Sequence, residues 1–452
     1  PAPDQAPGGA PDGRGLPVTA HRFSRPTAAG RSDRPQRQRV VITGIGAVTA
    51  TASGCGSNGF WDGVLQGRPG TATITRFDPS AFRSHVAAEV QGFDPADYMG
   101  PRQAKRLDRF AQFALATGRL ALEDAAFCPN GAAADTAVYL GSALGGIAFA
   151  EAQHERYLAG GLRAVDPSLA LAVFGGAGAT NLALELGIRG PAVGNSNSCA
   201  SGAIAIGEAF RLVQSGTSPL ALAGGAEAPL APLTYGAFAV IRAMSTRNDT
   251  PGEACRPFDA ERDGFVMGEG ACVLLLESLP HATARGARVY AELAGYGATN
   301  DAYHITAPRP DGSEAARAMA LALADAGAEP DEVDYVNAHG SSTPLGDRAE
   351  ATAMARVFGP HLGRVRVSGT KPLYGHPLGA SGAIETAIVA LALHHGYLPG
   401  TLNHHEASPG SPEAGLTHVP PRGEALSARV GMSNAFGFGG INASLVLRRW
   451  DG

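Results

Sequence analysis

The sequence predicts an α/β protein made of two related halves, on three observations. Short β-branched runs alternate with longer Ala-rich stretches, the pattern of strands and helices taken in turn. The pentapeptide Ala-Ser-Gly-Ala-Ile occurs at 200–204 and again at 380–384, each time opening an amphipathic helix. Each copy also follows a chemically unusual residue, Cys199 directly before the first and His376 slightly upstream of the second. A repeat in matching contexts suggests a duplicated unit whose equivalent helices aim their N-termini at one site.

Taken in order, residues 1–38 are rich in Pro, Gly and Arg and lack the apolar block of a secretory signal; they are expected to form a flexible arm. The first half is placed at 39–287 and the second at 288–452. "RVVITGIGAVTA" (39–50) reads as a strand running into glycines. Gly44 and Gly46 resemble the start of a dinucleotide fingerprint, but Thr49 stands where the third glycine belongs and a loop-like stretch follows. Nucleotide binding is therefore not expected. "PRQAKRLDRF" (101–110) reads as a helix, 136–144 as a strand, 202–216 as a helix and 219–228 as a strand. Strands follow at 270–278 and 289–298, then a helix at 312–327 and a strand at 333–340.

Composition narrows the class. In 452 residues, 44% hydrophobic and 17% charged side chains fit a well-buried enzyme. A net charge of −5 gives no bulk attraction to nucleic acid or an anionic membrane. No apolar run reaches spanning length. The five cysteines are scattered, with no C-x-x-C pair, which points to a reducing compartment, the cytoplasm, and against a disulfide framework or structural zinc.

Chemistry gathers in four segments. In "GNSNSCASGAIAIGEAF" (194–210), Cys199 stands where a strand gives way to a helix. Unpaired N–H groups and the helix dipole favour a thiolate there. "YVNAHGSSTPLGDRAE" (335–350) puts His339 at a strand end, and "SGTKPLYGHPLGASGAIE" (368–385) puts Lys371 and His376 in a loop before a helix. Imidazoles there can move protons or donate to an oxyanion. "MSNAFGFGGINASLVL" (432–447) offers a glycine turn able to approach a ligand, with Phe436 and Phe438 to gate or line an apolar pocket. His394–His395 and His404–His405 have no comparable setting and read as surface or structural, so no metal site is expected.

Together these segments resemble the β-ketoacyl-[acyl-carrier-protein] synthases, condensing enzymes of the thiolase fold. "RAMSTRND" (242–249), "RPFDAERDGFVMGEG" (256–270) and "DAYHITAP" (301–308) add to the likeness, which covers roughly 39–449. It implies duplicated halves in a layered αβαβα sandwich, and a decarboxylative Claisen condensation of malonyl-carrier protein with an acyl group. By the same resemblance Cys199 would be the acyl-accepting nucleophile. His339 and His376 would stabilise the malonyl enolate, and Lys371 would position the second histidine. Glu350 would orient this network, with Asp347 as the weaker candidate. The N–H groups of Cys199 and Phe438 would form the oxyanion hole. Leu144, Phe238, Phe436 and Phe438 match acyl-pocket and gate positions.

No metal or bound organic cofactor is implied, since a thioester itself stabilises the carbanion and the substrates ride on carrier-protein phosphopantetheine. The expected partners are the acyl carrier protein and a second ketosynthase-like chain, identical or related. Two alternatives are a non-catalytic chain-length subunit, disfavoured by Cys199, and a degradative thiolase, disfavoured because no cysteine follows Cys272. "NSNSC" before the helix, and Pro372 and Pro377 around His376, depart from the commonest fatty-acid enzymes. Finally, Arg102, Lys105, Arg106 and Arg109 fall at i, i+3, i+4 and i+7. On one helix that spacing makes a basic face suited to an acidic carrier protein, with Arg242 added from beside the pocket mouth.

Overall fold

The alternation of strands and helices resolves into a strand order that occurs twice. The computed structural model describes residues 37–51, 53–56, 59–129 and 135–452. The expected arm thus lies outside the described residues except for Arg37 and Gln38, and those two are tied down. Arg37 pairs with Asp325 at 3.1 Å, and the Gln38 N–H donates to the Gln214 carbonyl.

The principal elements of the first half are β1 (Val40–Thr49), α1 (Arg109–Asp124), β2 (Ala137–Gly141), α2 (Ala177–Leu186), β3 (Ala192–Asn195), α3 (Ser201–Gln214), β4 (Leu220–Glu227) and β5 (Gly270–Ser278). The second half has β6 (Ala291–Asn300), α4 (Ser313–Ala326), β7 (Tyr335–Asn337), α5 (Pro344–Phe358), β8 (Arg366–Ser368), α6 (Ser381–His395), β9 (Val430–Gly437) and β10 (Ile441–Arg449). From the junction outward the strands run β1-β5-β4-β2-β3 on one side and β6-β10-β9-β7-β8 on the other. Pairing is antiparallel from β1 to β4 and parallel beyond it. The same change of direction recurs in the second half. The halves meet where Val40, Val41 and Ile42 pair with Leu293, Glu292 and Ala291.

Period-two alternation sorts the strand side chains into separate cores. On β5, Cys272, Leu274 and Leu276 join the central core with α3 and α6, while Val273 and Leu275 pack with α1 and α2. On β10, Leu445 and Leu447 face the same centre and Val446 faces α4 and α5. The result is a five-layer αβαβα sandwich with α3 and α6 in the middle. Because α6 has a sheet on either side, it is buried all round from Ser381 to Leu393. It is not the amphipathic helix its sequence context suggested.

The paired glycines of β1 serve packing. A Cβ on Gly44 or Gly46 would lie 2.2 or 2.1 Å from carbonyl oxygens of α1. Gly295 and Gly297 of β6 meet α4 in the same way, at 2.2 Å each. The likeness to a nucleotide fingerprint is thus a strand lying tightly on a helix, made twice.

One expected helix is broken. Residues 101–110 form a short turn of helix, Pro101–Ala104, and then the first residues of α1. Asp108 caps α1, accepting from the Phe110 N–H at 2.9 Å, and so ends any continuous helix there. Arg109 consequently turns inward, paired with buried Glu269 at 3.0 Å and lying over the Phe113 ring. Arg102, Lys105 and Arg106 stay exposed. Among the described residues no helix is long and apolar enough to cross a membrane.

Candidate active site

The site lies where the C-terminal ends of β3, β7, β8 and β9 converge, the usual place for ligands in α/β sheets. Cys199 sits in the tight turn Ser198–Ala200 before α3. Ser198 has φ +50°, a left-handed conformation unfavourable for a side-chain-bearing residue. The residue at the same place in the second half, Leu378, has φ +35°. Both turns therefore bend sharply enough to present the next residue, Cys199 in one and Gly379 in the other.

His376 Nε2 stands 3.1 Å from Cys199 Sγ, and its Nδ1 is 2.8 Å from Ser381 Oγ. Its backbone is pinned too, donating to the Val266 carbonyl at 2.7 Å. His339 presents its ring 5.2 Å from that of His376, nearly perpendicular. The Phe438 N–H is directed at the Cys199 sulfur, and Phe265 meets His376 edge-on. These groups open on a cavity of about 370 Å³ lined also by Phe238, Arg242, Phe436 and Phe438. Leu144 does not line that cavity. It belongs to an apolar cluster with Phe238, Phe265 and Leu378 that also packs against Cys199.

Lys371 is wholly buried and differs from expectation in its partner. Its Nζ bonds the His339 carbonyl and Glu385, and lies 3.5 Å from His339 Nδ1. Lys371 therefore positions the first histidine, while Ser381 holds the second. An ammonium only donates, so His339 Nδ1 accepts and its proton resides on Nε2. Glu350 acts on the backbone rather than on either ring, accepting from the N–H groups of His339 and Gly340 at 2.8 Å each. Asp347 holds the same loop further on, accepting from Ser342 N–H at 3.0 Å and Phe258 N–H at 2.7 Å.

Burial dominates the electrostatics. It pushes the Cys199 thiol up to about 12, against the Lys371 charge and the Phe438 N–H. The resting sulfur is thus a neutral thiol, not the thiolate that the helix end suggested. Burial first, then Lys371, holds both His339 and His376 well below the usual imidazole range, so both are neutral. Glu350 and Glu385 are each raised to about 7, again chiefly by burial.

Glu385 and Ser381 were missed in the sequence. Glu385 had a signal, being the one charged residue in a helix otherwise without charge up to its final histidines. A carboxylate there needs a buried cation. Ser381 has none, since a serine at a helix start reads as an ordinary cap.

Two family models match the chain in tandem. Beta-ketoacyl synthase, N-terminal domain, covers residues 37–282, and the C-terminal domain of the same family covers 290–405. The chain belongs to the β-ketoacyl synthase family. A 3-oxoacyl-[acyl-carrier-protein] synthase 2 of Synechocystis sp. is 42% identical over 417 residues, 92% of this chain and 99% of the relative. Among solved structures, the ishigamide ketosynthase/chain length factor superposes with a TM-score of 0.84 at 34% identity, over 92% of this chain and 100% of that one. The AntDE:AntF complex, a type II polyketide synthase acyl-carrier protein with its ketosynthase bound to the hexaketide, gives 0.83 at 32% identity with the same coverage. This β-ketoacyl synthase fold thus carries thiol, imidazoles and buried ion pair in one connected cluster.

Removing one partner of that ion pair tests the cluster. Lys371→Met leaves Glu385 buried without a cation and should cost about 3–5 kcal/mol in urea unfolding. Adding Glu385→Gln should recover most of the loss, because the uncompensated charge is then gone. A Lys371→Met protein as stable as the parent would rule out this role for the pair.

Proposed function

We propose that this chain is a β-ketoacyl-[acyl-carrier-protein] synthase, an acyltransferase forming carbon–carbon bonds in fatty-acid or type II polyketide elongation. The observation that carries this is a buried thiol within reach of one neutral imidazole, with a second beside it and a backbone donor aimed at the sulfur. The Cys199 sulfur attacks the thioester carbonyl of an acyl-carrier protein while its proton passes to the departing pantetheine thiol. The acyl group is then held as a thioester on Cys199. Malonyl-carrier protein loses carbon dioxide, and the electron pair left behind forms an enolate that His339 Nε2–H and the His376 ring stabilise. The enolate carbon attacks the acyl carbonyl. The N–H groups of Cys199 and Phe438 hold the resulting oxyanion, which collapses to a β-ketoacyl-carrier protein two carbons longer and the Cys199 thiolate. The thiolate takes a proton from water to restore the resting thiol.

Lys371 and Glu350 are positioning residues in this scheme. Phe436 and Phe438 stand at the cavity that receives pantetheine, and Phe238 and Leu144 flank the acyl chain. No resident metal or organic cofactor takes part; the only prosthetic arm is the carrier protein's phosphopantetheine. Neither nucleic acid nor a membrane is a partner. Work in the cytoplasm fits the free thiols of Cys55, Cys128, Cys199, Cys255 and Cys272, since Cys199 must stay reduced to react.

Cys199→Ala should abolish acylation and condensation without loss of fold, since the change removes one sulfur atom from the turn before α3 and adds no bulk. His339→Ala and His376→Ala should depress malonyl decarboxylation far more than binding, because the enolate charge exists only along that step. Intact-mass analysis and carbon dioxide release measure the two. An acyl adduct on the Cys199→Ala protein, or equal loss of both half-reactions in both histidine variants, contradicts these roles.

A second ketosynthase-like chain pairs along β3. That strand is an edge with an exposed face, and Val193, Leu158, Leu162, Leu171 and Leu184 are exposed apolar side chains of this half. Such an edge is a template for strand addition. The purified chain alone should have twice its 46.0 kDa mass by light scattering. A monomer at micromolar concentration that dimerises only with a related subunit would make the pairing heteromeric, and no association with either would remove it.

The carrier protein docks on the exposed cations Arg102, Lys105 and Arg106, with Arg242 at the cavity mouth; Arg109 drops out because Glu269 holds it inside. Steering by such charges fades with salt. Lys105→Glu with Arg106→Glu should raise KM for acyl-carrier protein at low salt and spare small pantetheine thioesters. Equal effects on both substrates would place docking elsewhere.

A further inference from the structure

Glu227, the last residue of β4, has no part in the chemistry above, yet its carboxylate is wholly buried beside it. Four donors converge on it: the N–H groups of Ala143 at 2.6 Å, Leu144 at 3.2 Å and Gly379 at 3.0 Å, and Ser142 Oγ at 3.0 Å. Three of these come from the loop after β2, in the first half. The fourth, Gly379, comes from the second half, three residues after His376. The carboxylate therefore ties the loop bearing Leu144 to the turn before α6.

The loop is gripped from elsewhere as well. Ser142 Oγ accepts from the Gly145 N–H at 3.0 Å, and the Ser142 carbonyl accepts from Ser196 Oγ at 2.8 Å. Ser196 belongs to the unusual "NSNSC" run, which thereby gains a structural purpose. There is no slack on the other side: a Cβ on Gly379 would lie 2.4 Å from the Ala143 nitrogen and 2.7 Å from the Glu227 carboxylate. Leu144, held at this loop, packs in the cluster that contains Cys199, Phe238 and Leu378.

We propose that Glu227 is a positioning residue that sets which acyl lengths Cys199 accepts, by fixing Leu144 against the turn at Gly379. The inference rests on the acyl-chain placement given under the proposed function. Glu227→Gln keeps the volume but puts an amide N–H where backbone N–H groups already point, so at least one tie to the loop or to Gly379 breaks.

The test uses the full chain and an equimolar mixture of short- and long-chain acyl-carrier proteins, with the adducts on Cys199 read by intact mass. Glu227→Gln should change the long-to-short ratio about tenfold, the scale of one lost hydrogen bond to a charged group. Ser142→Ala, which removes one donor and leaves the carboxylate, should change it in the same direction by less. An unchanged ratio in both variants, or equal slowing of short and long chains, overturns the proposal, since a merely structural residue would slow all acyl groups alike. If the Glu227→Gln protein does not fold, Ser142→Ala decides by the same criterion. Parent protein that takes up no acyl group would sink the ketosynthase assignment itself, whereas acylated parent with an unchanged variant ratio removes Glu227 alone.

Discussion

Where α3 and α6 pass each other, a Cβ on Gly382 would stand 2.8 Å from the Cβ of Ala203, and one on Gly202 would stand 2.9 Å from the Gly379 carbonyl. Only glycine and alanine permit that approach, and the site depends on it. The two helices begin at Ser201 and Ser381, so their close crossing brings Cys199 from one half within 3.1 Å of His376 from the other. The repeated Ala-Ser-Gly-Ala-Ile is therefore less a mark of ancestry than a packing requirement met twice. Larger side chains would push the sheets apart and separate sulfur from imidazole before affecting either half alone.

Bringing these groups inside carries an electrostatic cost that the fold answers locally. Lys371 is buried with Glu385 as its counter-charge, and Glu350 is satisfied by the backbone of the His339 loop. A buried ion pair of this kind contributes little net stability, but losing either member is costly. Its value here lies in geometry. Lys371 faces His339 Nδ1 and so leaves the ring proton on Nε2. With the thiol and both imidazoles neutral at rest, the cavity holds no free charge on its reacting groups until the thioester arrives. In the proposed reaction charge appears on the oxyanion and the enolate, next to donors that are already fixed and need no reorganisation.

The fold and the reacting residues were legible because both rest on local patterns. Strand alternation marked β1, β4, β5 and β6, and the echo marked α3 and α6; Cys199, His339 and His376 stood in distinctive short contexts. What the sequence hid were pairings made across the chain. Nothing near Lys371 says that its ring partner is His339, on another strand end, rather than nearby His376. The basic helix at 101–110 failed for a local reason that charge spacing ignores: Asp108 is a better cap than a helix interior residue, so the helix restarts and Arg109 points inward. The thiolate expectation weighed the helix end correctly and left out burial, which outweighs it.

A duplicated fold with two equivalent turns raises the question of why it holds one nucleophile rather than two. The backbone repeats closely, with left-handed residues at Ser198 and Leu378 before Cys199 and Gly379. The surroundings do not repeat. Beside Cys199 there is room for a side chain, because the thiol lines the cavity and faces His376. Beside Gly379, Ala143 and the Glu227 carboxylate already fill the space a side chain would need. The second turn is thus closed by a hydrogen-bonded carboxylate, and its half contributes the imidazoles, the lysine and the Phe438 N–H directed at the sulfur instead. Asymmetry in a few side chains divides the site: one half holds the thiol and the other the imidazoles and the buried ion pair, across a crossing made close by Gly202 and Gly382.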